Sequence, residues 1–194
     1  MPSPTIRSRP KYAPFELVSP ARSHLIISDC AENLPRISAP SVDDPPLEFW
    51  TIRPDSRSLG AQRDGDGIDN FHFRSAPHLF DQLSYRLGRE HVGLHLYAIG
   101  TEAFIWDIAK IARQHGMDRD EYHLTHRGSE NRRVYCVHCR AITEHVRTTV
   151  VNCSGCGAHL QVRDHFSQRL AAFMGFQVDA EVPGELPPIE EAYP

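Results

Sequence analysis

The sequence predicts an α/β protein: a small, partly degenerate parallel-sheet lobe, then a zinc-ribbon module, then a short C-terminal helix. Three observations predict it. Between residues 71 and 125 strand-like apolar runs alternate with amphipathic helical stretches joined by short connections, the order that builds a parallel sheet. Four of the five cysteines fall as two Cys-x-x-Cys pairs thirteen residues apart. After the second pair, Phe166, Leu170, Phe173 and Met174 recur at i, i+4, i+7 and i+8.

The elements follow from the N-terminus. Nine of the 15 prolines precede residue 47, so residues 1–22 read as an extended arm rather than a helix. Ser23 to Asp29 (SHLIISD) is an apolar run closed by polar residues, the form of a short buried strand. The stretch 37–70, rich in Pro, Asp, Ser and Gly, reads as a long loop. Its acidic centre, residues 63–70 (RDGDGIDN), lacks the closing glutamate and flanking helices of a calcium loop. Phe71-His72-Phe73 is the next strand. Ser75 caps a helix with Pro77 in its first turn, carried by Leu79, Phe80, Leu83 and Leu87 and ended by Gly88. Val92 to Ile99 is a strand apolar on both faces, broken at Gly100-Thr101. A helix over 102–115 places Phe104, Ile105, Ile108, Ile111 and Ala112 on one stripe and stops at Gly116. Tyr122 to Thr125 is the last strand of the lobe, which is expected to span 23–127.

Cys136, Cys139, Cys153 and Cys156 are the candidate metal ligands. Each Cys-x-x-Cys loop turns two thiolates toward one ion, and two loops on two hairpins close a tetrahedral sulfur site. Gly155 and Gly157 suit a turn that needs positive φ. Zn2+ is the expected occupant, with iron as the alternative. His138 and His159 lie close in sequence but are surplus to a complete set of four thiolates. Residues 128–176 are expected to hold this ribbon and the helix 165–174, and 177–194 to form an acidic flexible tail. Cys30 reads as a lone apolar residue.

Composition narrows the function classes. The chain has 194 residues, 40% of them hydrophobic, and a net charge of −4. No apolar stretch is long enough for a membrane span and no signal core opens the chain, so a cytoplasmic protein without membrane contact is expected. Between residues 127 and 170 seven arginines stand against three acids. Two net negative charges on a four-thiolate zinc site offset part of that excess, and aromatics for base stacking are missing, so nucleic acid is not the expected partner. The twelve histidines show no paired spacing with carboxylates of the kind a non-haem iron triad uses.

Two resemblances add to this. Residues 92 to 126 resemble the closing strand-turn-helix-strand of the nicotinamide-binding lobe of ferredoxin reductases. That makes Gly100 and Thr101 candidate cofactor-binding residues, although the turn has one glycine where the dinucleotide fingerprint needs three, and Glu102 stands where a phosphate would approach. The lobe is therefore expected to be a structural remnant. The strings Tyr135-Cys-Val-His-Cys139, Cys153-Ser-Gly-Cys-Gly157 and Leu160 to Leu170 (LQVRDHFSQRL), with Met174-Gly175, resemble the A-subunit family of bacterial dimethylamine monooxygenases. The resemblance implies a subunit of a multicomponent, NAD(P)H-dependent oxidoreductase that oxidises dimethylamine. Its haem would lie on an oxygenase partner and its flavin and iron–sulfur centre on a reductase partner. This chain has no haem or flavin motif of its own, so a non-catalytic assembling or coupling role is expected. An NAD(P)H-binding or electron-transfer subunit and a zinc-ribbon nucleic-acid-binding regulator are the alternatives.

Overall fold

The structure is a computed structural model and describes residues 8–37, 41, 43–55, 60–63 and 68–194. It divides into two compact units, one of residues 12–128 and one of residues 8–11 with 129–194. The extended arm expected over 1–22 is thus shared between them.

The 12–128 unit is an α/β sheet. Its elements in chain order are β1 (Ser23–Ser28), a 3-10 turn (Ala31–Asn33), β2 (Leu47–Ile52), β3 (Gly60–Arg63), β4 (Asp69–Phe73), α1 (Ala76–Leu87), β5 (Leu94–Gly100), α2 (Glu102–Gln114) and β6 (Tyr122–His126). The strand order is β3-β4-β2-β1-β5-β6. All neighbours are parallel except the edge strand β3, which runs antiparallel to β4. From β1 the chain moves outward through β2 to β4 and then returns to β1's other side as β5. The topological switch point therefore falls between the carboxyl ends of β1 and β5.

Sheet alternation sorts the core. Leu25, Ile27, Leu96 and Ala98 are fully buried on one face, under α1 and α2. Ile26, Tyr97 and Ile99 point the other way and pack with Leu47, Phe49 and Ile68, with Phe15, Leu34 and Ile37 laid over them. An extended segment thus supplies the layer that a second set of helices supplies in larger α/β folds. Ser75 caps α1 by accepting from His78 N.

The long loop expected over 37–70 is interrupted by β2, β3 and the start of β4. The Leu47 to Ile52 run (LEFWTI) is β-rich and largely buried. Pro45, Pro46 and Pro54 frame it without breaking it, because proline disrupts a strand only from inside. Residues 64–67 of the acidic centre lie outside the described residues.

The second unit is a five-stranded sheet of β7 (Arg132–Cys136), β8 (Ile142–Val146), β9 (Val150–Asn152), β10 (His159–Ser167) and β11 (Ala172–Gln177), in the order β8-β7-β11-β10-β9. The helix expected over 165–174 is absent: those residues form the end of β10, a turn, and the start of β11. The apolar spacing that suggested a helix is met across the hairpin instead, where Phe166 is paired with Phe173 in register and the rings meet edge-on at 5.0 Å. Sheet pairing wins because β11 is the central strand, antiparallel to β10 and parallel to β7. At Gly175 an added Cβ would lie 2.6 Å from Val134 Cγ1, so glycine permits the β7–β11 approach.

The acidic tail is not a free arm. Thr149 N donates to Glu190 O, Ala192 N and Tyr193 N both donate to Arg147 O, and Glu130 N donates to Pro194 O. Tyr193 is buried. Its ring lies 3.8 Å from the Arg132 guanidinium carbon, which has Phe173 on its other side at 4.0 Å. Arg132 Nη2 donates to Asp164 Oδ1 at 2.7 Å. A buried cation held between two ring faces and tied to a carboxylate explains why a proline-rich acidic segment is retained. Replacing Tyr193 with Ala is expected to lower the unfolding free energy of the 129–194 unit by about 3 kcal/mol, read from a denaturant melt. An unchanged midpoint would mean the tail is dispensable.

Candidate metal centre

The four cysteines sit on two turns that repeat one another. Cys136 N donates to Ala141 O at 2.9 Å and Cys153 N to Ala158 O at 2.8 Å; Arg140 N donates to Cys136 O at 2.9 Å and Gly157 N to Cys153 O at 3.0 Å. Every partner is shifted by seventeen residues, so the turns are two copies of one knuckle. Each needs a left-handed residue after its second cysteine, supplied by Gly157 (φ +74°) and by Arg140 (φ +69°). Gly155 has a different reason from the one expected. It does not adopt positive φ; an added Cβ would lie 2.6 Å from Ala141 Cβ and 3.2 Å from Cys139 Sγ, so it leaves room for the facing knuckle.

The knuckles bring all four Sγ atoms within 4.8 Å of one another. Cys136 Sγ lies 4.0 Å from Cys156 Sγ, and Cys139 Sγ lies 3.5 Å from Cys153 Sγ. A tetrahedron of metal–sulfur bonds of about 2.3 Å has sulfur–sulfur edges of about 3.8 Å, so the donor set fits a tetrahedral thiolate ion. Cys136 and Cys153 are buried, while Cys139 and Cys156 are exposed. Four thiols this close do not ionise alike. Burial pushes Cys153 up, but backbone N–H groups of Cys156 and Gly155 and thiol hydrogen bonds from Cys139 and Cys156 bring it down to about 6. At Cys139 the Ala141 amide favours the thiolate, yet burial and the neighbouring sulfurs hold it at about 12. A divalent cation relieves that conflict by stabilising every thiolate at once.

The surrounding residues are mostly engaged within the fold. His159, one of the two surplus histidines, has Nδ1 3.0 Å from Asp179 Oδ2. Of the arginines that suggested a basic patch, Arg132 is buried in its aromatic sandwich, Arg133 pairs with Glu144 at 2.8 Å, Arg147 donates to Asn131 Oδ1, and Arg163 lies over Phe176. Four of the seven arginines are thus engaged within the fold, two of them in ion pairs.

Gly100 and Thr101, the residues with a candidate cofactor role, lie at the switch point of the other unit. There a residue that the sequence reading passed over, Asp29, occupies the turn. Its Oδ2 accepts from Thr101 N at 2.8 Å, at the N-terminus of α2, and its Oδ1 accepts from Asn33 Nδ2 at 2.9 Å. Gly100 (φ +152°) is packed so closely on this carboxylate that a side chain there would have to displace it. The signal in the sequence was an acid immediately after a buried strand, at the carboxyl end where parallel sheets place ligands.

Hydrogen bonds from His159 and Gln177 hold the Asp179 carboxyl down at about 2. Its folded value lies below the unfolded one, so the stability it contributes is complete above about pH 4 and disappears as pH falls through about 2. Asp179→Asn is expected to remove that acid-sensitive part of the melting curve; a wild-type curve that is flat between pH 4 and 2 would contradict the assignment.

Comparison with known proteins places both parts of this chain in one subunit type. Residues 59–122 match the model of the dimethylamine monooxygenase subunit DmmA-like N-terminal domain, and residues 133–176 match that of the corresponding C-terminal domain. The chain is 40% identical over 101 residues to the heme-dependent oxidative N-demethylase delta subunit of Ectopseudomonas mendocina (strain ymp), a stretch that covers 52% of this chain and 58% of that protein. It is also similar to the structure of phthalate dioxygenase reductase, at a TM-score of 0.39 and 14% identity over 69% of this chain and 46% of that one; a superposition that partial carries no inference.

Proposed function

Because the chain belongs to the DmmA-like family of dimethylamine monooxygenase subunits, we propose that it is a non-catalytic subunit of a multicomponent, NAD(P)H-dependent dimethylamine monooxygenase. In this reading Cys136, Cys139, Cys153 and Cys156 hold a structural Zn2+, and the chain assembles or couples a haem-bearing oxygenase with a flavin and iron–sulfur reductase. The observation that carries the reading is the closed set of four thiolate donors in a chain whose matched relative is named as one subunit of a heme-dependent N-demethylase. With all four positions taken by sulfur, a bound zinc ion offers neither an open site nor redox chemistry; it contributes folding energy.

The residues of this chain then have supporting tasks. The two knuckles turn four sulfurs inward, and Gly155 N donates to Cys153 Sγ at 3.4 Å, which lowers the negative charge the sulfur presents. At the sheet switch point Asp29 already satisfies the Thr101 amide, which favours the non-nucleotide reading of the α/β unit over the alternative in which it accepts NAD(P)H. Among the described residues no helix is long and apolar enough to cross a membrane.

One zinc per chain is expected by elemental analysis of the purified protein. Chelation, or Cys153→Ser, is expected to unfold the 129–194 unit while amide signals from 12–128 persist. Iron with a visible thiolate absorption would make the chain an electron carrier instead, and identical melting with and without chelator would remove the metal from the account. Isolation from the native host is expected to bring down a haem-bearing chain, and NADPH is expected to give the isolated subunit no thermal protection. Recovery of the chain alone would count against the assembling role, and clear protection by NADPH would favour the nucleotide-binding alternative.

A further inference from the structure

The 12–128 unit covers the two faces of its sheet unequally. Helices pack on one face, and on the other extended chain carrying Phe15, Leu34 and Ile37 takes their place. Extended chain is narrower than a helix, whose diameter is about 10 Å, so this cover leaves a gap. The gap is a cavity of about 550 Å3 at the starts of β1 and β2, bordered by residues 17–21 of the arm and by residues 36–47. Small-molecule pockets occupy roughly 300–1,000 Å3. Leu17, Val18, Ile37, Pro45 and Leu47 make its walls apolar.

One buried polar side chain opens into it. His24 is 8% exposed and lines the cavity. Its Nδ1 lies 3.2 Å from the Tyr97 hydroxyl, which accepts from Val18 N at 3.0 Å. Tyr97 is 1% exposed, so its hydroxyl proton needs an acceptor. Among the described residues His24 Nδ1 is the one within reach. His24 Nδ1 is therefore bare and Nε2 carries the proton. Burial, followed by the charge of His95, favours this neutral ring. Nε2 has no partner among the described residues, yet it is not sealed off, since the described side-chain atom that is both sealed and unpaired is Arg132 Nη1. The space it opens on is the cavity that its ring borders.

The rim adds charge. Arg36 lines it, is exposed, and has no partner among the described residues. Asp44, the acid on the wall, is already engaged: its Oδ2 accepts from Ser41 N at 2.7 Å. The groups left to bind are thus donors, a neutral imidazole N–H and a guanidinium. Such donors above apolar walls suit an anionic head on an apolar body, and a guanidinium fork matches a carboxylate. Asp44 repels a second negative charge, which restricts the ligand to a monoanion.

We propose that this cavity binds a small monocarboxylate with an apolar body, its carboxylate taken by His24 Nε2–H and the Arg36 guanidinium. The site owes nothing to the cysteine cluster, which lies in the other unit, and stands whatever that cluster holds. Tyr97 is itself fixed, stacked on His123 at 4.8 Å and met edge-on by Phe15 at 5.4 Å. It keeps the His24 ring turned the same way with or without ligand, so the donor is preorganised.

The test titrates the full chain with octanoate and follows backbone amide shifts. Saturable shifts are expected at Leu17, Val18, His24, Ile37 and Leu47, while octylamine, with the same chain and the opposite charge, leaves them unmoved. His24→Asn keeps an acceptor for the Tyr97 proton in the place of Nδ1 and removes the Nε2 donor; Arg36→Gln changes an exposed side chain. Both are expected to fold, judged by amide signals of 12–128, and each to weaken octanoate binding at least about fivefold. If His24→Asn does not fold, Arg36→Gln decides. Absence of saturable shifts at these residues, octylamine binding as tightly as octanoate, or wild-type octanoate affinity in the folded variants would overturn the proposal.

Discussion

The second unit depends on the convergence of four sulfurs at its rim. In the order β8-β7-β11-β10-β9, the outermost strands are β8 and β9, and both are poor strands by themselves. β8 exposes three of its five residues and β9 has only three residues. Edges like these fray unless something pins them. One knuckle joins β7 to β8 and the other joins β9 to β10, so whatever holds the sulfurs together fastens both edges of the sheet at once. The middle strands need no such help: Val134, Leu160 and Phe173 are almost entirely buried.

Away from the knuckles, a different device closes the same sheet. Arg132 opens β7 at its far end from Cys136, and its guanidinium lies between the rings of Phe173 and Tyr193 while Asp164 balances its charge. Burying a lone cation is costly; two ring faces and a carboxylate offset that cost. Asp164 also lies 3.8 Å from Arg9 Nε, and Ser8 N donates to Asp164 O. One buried arginine and one acid thereby gather the beginning of the described chain, the β10 strand and the tail around a common point. The sequence placed these residues in an arm, at the start of a helix and in a flexible end, three readings made locally where the deciding contacts join residues from about 30 to more than 150 positions apart.

Legibility followed the range of the interactions. The knuckles, α1, α2 and strands β1, β4, β5 and β6 were readable because the signals that build them, cysteine spacing, capping serine and apolar period, lie within a few residues. β2 was hidden by flanking prolines that frame rather than break it. The supposed helix 165–174 failed for a sharper reason: Phe166 and Phe173 are seven residues apart, a separation that two turns of helix and a tight hairpin satisfy equally well, and only the vacancy between β7 and β10 decides. At the cysteines the residue types and spacing were visible, whereas the use of Arg140 in a left-handed turn and the steric reason for Gly155 were not. That His24, His95 and His123 share one face of the sheet was invisible for lack of any sequence period, since they come from three strands that the fold alone makes neighbours.

Asp29 gives the α/β unit a property that its strand order does not disclose. A carboxylate tethered beside the Thr101 amide has little freedom left to lose, so any diffusing anion arriving at that helix start competes against an incumbent at overwhelming local advantage. At this one helix start, the seat an outside anion would take is already held by the chain's own carboxylate.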